Sequence, residues 1–268
     1  MLSRPATRAE LRQLASFARA RDRRGAGECL VEGATLLGEA LDAGLRPRVV
    51  AVSEQLAAEQ QELLERAAAA GAEVLLAEAE SLARAADRER GPALLAAVDM
   101  AEAGNLSDLP TSGAALVAVL CGLQDPGNVG TLLRSARAFG AALCVCLPGT
   151  ADVWGPKVIR SSAGAVFSLP VLALPSLDEL LGASDLTPAA ALPPVARGVQ
   201  GGAAESPGSL LPQLPDRCLL LLGHETRGIQ AAGAVSSVTV PQMPGVDSLN
   251  VAMAGSILMA DWYRARAQ

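Results

Sequence analysis

The sequence predicts an α/β protein: a small α/β domain over residues 1–100, a linker over 101–113, and a larger domain over 114–268 built on a mostly parallel sheet. Three observations carry this. Short apolar runs alternate with helix-period segments along nearly the whole chain, the pattern of strands joined through helices. In the second half those runs are continuously apolar, as strands covered by helices on both faces must be. At 268 residues, half of them apolar, the chain has ample length for a core, and that core must be aliphatic because aromatics make up only 2%.

In order, residues 1–24 read as one helix, broken by Gly25 and Gly27 before the apolar Cys29-Leu30-Val31. Ala34 to Ala43 is a helix stopped by Gly44, as a left-handed cap requires. Arg48 to Val52 is a strand, Glu54 to Ala70 a charged amphipathic helix closed by Gly71, and Glu73 to Leu76 a strand. Ser81 caps a further short helix, and Ala93 to Val98 completes the first domain as a strand. Residues 101–113 are polar, with Pro and two Gly, and form the linker. Beyond it come a buried strand at Leu116 to Leu120, a helix at Val129 to Phe139 and a strand at Ala142 to Leu147. A short helix at Pro156 to Ser162, a strand at Val166 to Val171 and a helix at Leu177 to Leu181 follow. Residues 183–216, rich in Ala, Gly and Pro, must conceal one strand, placed near Leu192 to Val199. Strands at Leu219 to Leu222 and Val238 to Val240 and a long helix from Ser248 to Arg266 finish the chain, with no internal repeat.

Composition narrows the function classes. No apolar run approaches the roughly 20 residues of a membrane helix. The N-terminus lacks a signal-peptide core, and its Arg-rich start fits an amphipathic helix at least as well as an organelle transit peptide, so the protein reads as cytoplasmic. Five cysteines all sit in or beside apolar stretches, and with a single histidine in the chain they read as reduced core thiols rather than a zinc site; no metal is expected. The net charge of −6 argues against a generic polyanion binder. Residues 1–24 nevertheless carry seven arginines against Glu10 and Asp22, an excess of five positive charges that suits either phosphate contacts or a solvated helix face.

Three short stretches concentrate the amide, guanidinium and carboxylate groups of the second half. In the first, Gln124 to Arg134, Pro126-Gly127 is a turn signal directly after a buried strand, and Asn128 stands where a helix would be capped. Arg134, at about 100° per residue, projects roughly 120° away from Asn128, while both belong to the strand's C-terminal edge, where open α/β sheets bind ligands. Neither a Walker loop nor a dinucleotide fingerprint fits, since no Gly-Lys-Ser/Thr follows and only Gly127 and Gly130 are present. The second stretch, Gly223-His224-Glu225-Thr226-Arg227-Gly228, follows an apolar strand and places Glu225 at its mouth. A histidine base would have to be His224, a lone strand-end histidine more often structural than catalytic. In the third, Pro241 to Asn250, two prolines and a glycine shape a loop, Ser248 or Asp247 caps the last helix, and Asn250 is held in its first turn, where its amide can meet Asn128 or Arg134.

Asn-x-Gly-x-x-x-Arg, Gly-x-Glu-x-x-Gly and Ser-Leu-Asn, in this order and at these separations, resemble the three motifs of the SpoU (TrmH-like) branch of the SPOUT RNA methyltransferases. Arg160-Ser161-Ser162-Ala163-Gly164-Ala165, with Phe167 and Leu169-Pro170, resembles the family's stretch between motifs one and two. The likeness spans about 113–268, and residues near 8–100 resemble the ribosomal-protein-like substrate-binding domain that precedes the catalytic domain in rRNA-modifying members. The resemblance implies a sheet threaded into a deep trefoil knot, S-adenosylmethionine bound within it, and a homodimer with active sites at the subunit interface. By motif position, Gly223, Val240, Met243, Ser248 and Leu249 would hold the cofactor, and Asn128, Arg134, Glu225 and Asn250 would form the catalytic cluster.

The implied activity is methyl transfer to a ribose 2′-hydroxyl of RNA, with rRNA indicated by the N-terminal domain. It requires an in-line displacement and loss of the hydroxyl proton. The motifs hold no Cys, Lys or Tyr for covalent catalysis. Arg134 is cast in this family as the activating group, yet a guanidinium keeps its proton far above neutral pH. Gripping the neighbouring phosphate and polarising the hydroxyl, with Glu225 and Asn250 orienting it, suits its chemistry better. A tRNA 2′-O-methyltransferase, a non-catalytic RNA-binding ribosome-assembly factor and a nucleotide-binding α/β enzyme without an RNA role are the competing readings. Binding of S-adenosylmethionine and salt-sensitive binding of RNA separate them.

Overall fold

The structure, a computed structural model of the chain, describes residues 4–86, 92–191, 214–223, 236–243 and 249–266. In chain order its first elements are β1 (Arg4–Pro5), α1 (Arg8–Ser16), α2 (Ala20–Ala26), β2 (Glu28–Glu32), α3 (Ala34–Asp42), β3 (Pro47–Val52), α4 (Glu54–Glu59), α5 (Gln61–Ala69), β4 (Glu73–Leu76), α6 (Ala79–Ala85) and β5 (Leu94–Asp99). There follow β6 (Ala115–Cys121), α7 (Pro126–Ala138), β7 (Leu143–Cys146), α8 (Pro156–Ser161), β8 (Val171–Ala173), α9 (Leu177–Ala183), β9 (Thr187–Ala191), β10 (Arg217–Gly223), β11 (Ser236–Val238) and α10 (Val251–Arg264). They divide into two compact units, Met1–Ala101 with Asp152–Ser168, and Glu102–Ala151 with Leu169–Gln268.

The first unit holds a mixed sheet in the order β1-β4-β3-β5-β2, parallel from β1 to β3 and antiparallel at β5 and β2. Leu14, Phe17, Leu30, Leu75, Leu82 and Leu95 form an aliphatic core under α1 and α6. The single helix expected over residues 1–24 is instead a short strand and two helices. Arg4–Pro5 pairs with Leu75–Leu76. Thr7 and Glu10 then start α1 through a reciprocal capping box, with Thr7 N–H to Glu10 Oε2 at 2.7 Å and Glu10 N–H to Thr7 Oγ1 at 3.3 Å. Burial of Phe17, the C-terminal cap of α1, turns the chain before α2. The helix expected over Glu54 to Ala70 breaks at Gln60 (φ −119°, ψ 37°), separating a piece with no buried side chain from one that buries Leu64 and Ala67. Glu78, not Ser81, stands at the start of α6, and Ser81 Oγ accepts from Arg84 instead. Gly44 does take the left-handed conformation, φ 77°.

Residues 152–168 complete this unit, α8 lying against β2. The nearly buried Arg23 guanidinium donates to Asp152 Oδ2 at 2.7 Å and to the Phe17 and Ala18 carbonyls, and Arg160 Nη1 donates to Glu32 Oε1 at 2.6 Å. Gly164 (φ 81°) approaches α3 so closely that a Cβ there would lie 2.9 Å from Glu39 Cβ. The strand expected over Val166 to Val171 is therefore not continuous. Ala165–Phe167 winds into a 3-10 turn that buries Val166 and Phe167, and the strand starts only at Val171.

The second unit is a wholly parallel six-stranded sheet in the order β11-β9-β10-β6-β7-β8. Val117, Val119, Val145, Leu219 and Leu221 point to one face, where α9 contributes Leu177 and Leu180. Leu116, Leu120, Leu220 and Leu222, alternating with them, are equally buried. Continuous apolar strands thus do mean a sheet covered on both faces. Residues 192–199, where a concealed strand was expected, lie outside the described residues; a strand just upstream, β9, pairs with both β10 and β11. Its Pro188 falls one residue before the β11 pairing begins at Ala189, so it withdraws no N–H from that ladder.

Helices α7 and α10 lie side by side and run the same way, touching at Leu132 and Gly255, at the Ser135 and Ser256 hydroxyls (2.6 Å apart), and at the Phe139 and Tyr263 rings (centroids 6.2 Å apart). A Cβ on Gly255 would sit 2.6 Å from Leu132 Cδ2 and 2.9 Å from Leu222 Cδ2, both on fully buried side chains. Gly255→Ala is therefore expected to destabilise the protein by about 1–3 kcal/mol despite alanine's better helix propensity. Urea unfolding of the variant, read as a midpoint lowered at constant slope, checks this.

Candidate active site

The chain leaves β6 toward β7 on one side, while β10 returns to β6 on the other, so the C-terminal ends of β6 and β10 form the switch point of the sheet. Cys121 and Gly223 are the last paired residues there. Just beyond, Leu147 N–H and Thr150 Oγ1 both donate to Leu120 O, at 3.0 and 2.9 Å, and Ala151 N–H donates to Leu123 O at 2.8 Å, lacing together the turns that follow β6 and β7.

Out of this laced turn α7 begins. Its cap is Asp125, whose Oδ2 accepts the Asn128 N–H at 3.1 Å, with Pro126 in the first helical position. Asn128, expected to be the cap, is instead the third helical residue. Its side chain is thereby released from capping and reaches across to α10. A matching change occurs there. Asn250 is itself the cap of α10, in place of Ser248 or Asp247, and its Oδ1 accepts from the N–H groups of Ala252 (2.9 Å) and Met253 (3.3 Å). With its oxygen so engaged, its Nδ2 donates to Asn128 Oδ1 at 3.0 Å. The cap thus sets the sense of both amides, and Asn128 Nδ2, without a partner among the described residues, is the donor left to a ligand.

The far end of α10 holds this geometry in place. Trp262 Nε1 donates to Pro215 O at 3.0 Å, and Arg266, stacked on the Trp262 ring at 4.6 Å, donates to Leu214 O and Asp216 Oδ1. A 14-residue helix spans about 21 Å, and a seven-residue strand about 23 Å. Tying the end of α10 to the start of β10 therefore delivers Asn250 to the opposite end of that strand. Both helix N-termini, with their partial positive charge, face the same edge.

Arg134 does not join the pair. It is exposed on α7, has no partner among the described residues, and lies about 120° around the helix from Asn128. Glu225 and Ser248, like the rest of the second motif from His224 to Gly228, lie outside the described residues. So do residues 229–235 and 244–247. Of the other expected cofactor residues, Gly223 closes β10, Val240 is buried, Leu249 is half-buried and Met243 is 78% exposed. Two residues that sequence reasoning missed stand here. One is Asp125, signalled by its place before Pro126. The other is Gln242, whose Oε1 is buried without a hydrogen-bond partner among the described residues. An orphaned acceptor two residues from buried Val240 fits a ligand that has both an amine and apolar parts, as S-adenosylmethionine has.

Cys29, Cys121, Cys144 and Cys218 are unsuited to act as covalent nucleophiles. Burial pushes Cys29, Cys121 and Cys218 up to about 12, which keeps them protonated at neutral pH, and Cys144 is raised by its hydrogen bond to Cys146 and by burial. Among the described residues no cluster of His, Cys, Asp or Glu could hold a metal ion, and no helix is long and apolar enough to cross a membrane.

This arrangement has counterparts. Residues 115–260 match the SpoU rRNA Methylase family, and residues 8–96 match the MRM3-like substrate binding domain. An uncharacterized tRNA/rRNA methyltransferase of Synechocystis is 30% identical over 264 residues, covering 96% of this chain and 90% of that protein. A 23S rRNA (uridine(2479)-2'-O)-methyltransferase of Streptomyces viridochromogenes is 32% identical over 181 residues, 66% of this chain and 62% of that one. The crystal structure of an AdoMet-bound rRNA methyltransferase from Sinorhizobium meliloti superposes with a TM-score of 0.78 over 98% of both chains at 20% identity, a likeness of fold. The matched segment takes in more than half the sequence, including β6, α7, β10 and the capped start of α10, and by it the chain belongs to the SpoU rRNA Methylase family.

Proposed function

We propose that this protein transfers a methyl group from S-adenosylmethionine to a ribose 2′-hydroxyl of ribosomal RNA. The observation that carries the reading is the 3.0 Å bond between Asn250 and Asn128, which brings the first and third motifs together at the switch point of the sheet. Gly223, Val240, Met243, Ser248 and Leu249 would hold the cofactor, largely through backbone groups, with Gln242 Oε1 accepting from an amine. Bound there, S-adenosylmethionine supplies an electrophilic methyl group. Asn128 Nδ2 then donates toward the substrate, Glu225 and Asn250 orient the hydroxyl, Arg134 holds the adjacent phosphate and polarises the O–H, and the hydroxyl proton is released to water as the oxygen takes the methyl group. A planar guanidinium suits that grip and is unsuited to accepting a proton.

The same reading includes a homodimer working in the cytoplasm. Arg134 faces away from its own Asn128, so a site using all four catalytic residues draws Arg134 from a second copy. The α10 surface supports this, since Met253 and Ile257, one turn apart, are 59% and 38% exposed.

Three experiments test the proposal. Ribosomal RNA from cells with and without the gene should differ by at least one 2′-O-methyl; identical maps would leave it without a substrate. Arg134→Ala should lower kcat by about a hundredfold or more while the Kd for S-adenosylmethionine stays unchanged, and Arg134→Lys should recover little. A lysine variant with near wild-type turnover would rule out the phosphate grip. Asn250→Ala removes both cap and amide, and should lose about 1 kcal/mol of stability together with activity. Asn250→Asp keeps the cap but not the Nδ2 donor, so it should retain Tm yet lose turnover; an active Asp variant would show that the amide matters only for folding.

A further inference from the structure

The seven arginines of residues 1–24 are not equivalent. Arg4 is held by Glu10 at 2.5 Å and Glu73 at 2.6 Å, and Arg19 by Asp22 at 2.7 Å. Arg23 is buried against Asp152 and two carbonyls. Both acids of the stretch are thereby occupied. Four guanidiniums remain exposed without a carboxylate: Arg12, whose Nε reaches only the Arg8 carbonyl of its own helix (3.1 Å), and Arg8, Arg21 and Arg24, which have no partner among the described residues. Elsewhere in the unit Arg48, Arg66, Arg84 and Arg160 each face a carboxylate, and among the described residues only Arg46 shares the unpaired state.

We infer that Arg8, Arg12, Arg21 and Arg24 are the phosphate-contacting residues of the first unit and take the sugar–phosphate backbone of the RNA substrate; this rests on the methyltransferase reading above. Arg8 and Arg12 are one turn apart on α1, and Arg21 and Arg24 one turn apart on α2, so each pair sets two like charges on one helix face, about 5–6 Å apart at Cβ. Such pairs weaken a helix unless an anion lies over them. In a chain of net charge −6, and beside Arg48, Arg66, Arg84 and Arg160 of the same unit, which each face a carboxylate, four uncompensated forks mark a surface directed at a polyanion. They are also firmly mounted. The Thr7–Glu10 capping box fixes the start of α1, and the buried Arg23 pins α2 from within, between Arg21 and Arg24.

The test uses the full-length protein and purified ribosomal RNA across a range of salt. Replacing Arg8, Arg12, Arg21 and Arg24 together by Gln should weaken binding at least tenfold near physiological salt, and should flatten the slope of log K against log salt by about 0.7–0.9 for each phosphate no longer gripped. Tm and the affinity for S-adenosylmethionine should not change, and Arg66→Gln, which removes a paired arginine, should bind as wild type. A quadruple variant with wild-type affinity and slope overturns the assignment, including the case in which these arginines serve an acidic protein instead. If wild type methylates RNA and the variant binds it equally well, only this surface falls; if wild type neither binds nor methylates RNA, both readings fall.

Discussion

The cap of the last helix is the constraint on which the site depends. A helix start leaves N–H groups without partners, and Asn250 satisfies two of them with one oxygen. That oxygen is then unavailable, so the nitrogen of the same amide must face Asn128 and the Asn128 oxygen must face it in turn. Local helix chemistry thereby decides which atom of a second helix is left to meet a ligand. An amide free to flip would present donor and acceptor about equally; here the choice is made before any ligand arrives, which is what preorganisation of a polar site requires.

Such a relay needs two helices held in register, and the core supplies that with small residues and aliphatic packing rather than aromatic wedges. Gly255 lets α10 rest directly on Leu132 and Leu222, and the Ser135–Ser256 contact keeps the seam narrow one turn further on. The aromatics of this seam are placed at its ends. Phe139 meets Tyr263 beyond the last turn of α7, and Trp262 bonds to the chain just before β10. A lean aromatic content is thus compatible with tight positioning, because the rings serve as end stops while leucines fill the middle.

Much of this was legible in the sequence. Continuous apolar runs located β6, β7 and β10, and placing Asn128 and Asn250 at strand-edge helix starts left Asn250 to meet Asn128 or Arg134, of which it bonds Asn128. The capping residues were misassigned at both helices for one reason. Asp125 and Asn128, or Asp247, Ser248 and Asn250, share the same side-chain chemistry within a few positions, and periodicity does not choose among them. In the folded chain Asp125 caps α7 and Asn250 caps α10, and the Asn250–Asn128 bond, 122 residues apart in sequence, follows from those caps. The run from Val166 to Val171 misled differently. Its apolar residues serve two units, Val166 and Phe167 in one and Leu169 and Val171 in the other, and a pattern shared by two cores looks like one strand. The break at Gln60 left no mark, since neither Gly nor Pro stands there.

The division of the polypeptide between its two units bears on how such a protein can be rearranged. The chain passes from one to the other at residues 101–102, 151–152 and 168–169, because Asp152–Ser168 interrupts the strand order of the second unit to complete the first. A gene fragment starting at residue 102 would carry that excursion away from Arg23, Glu32 and Glu39, stripping the cover from Val158, Ile159, Val166 and Phe167. Neither half is therefore a cassette. Deletion or exchange of the leading portion demands rewriting of the insertion Asp152–Ser168 inside the trailing one.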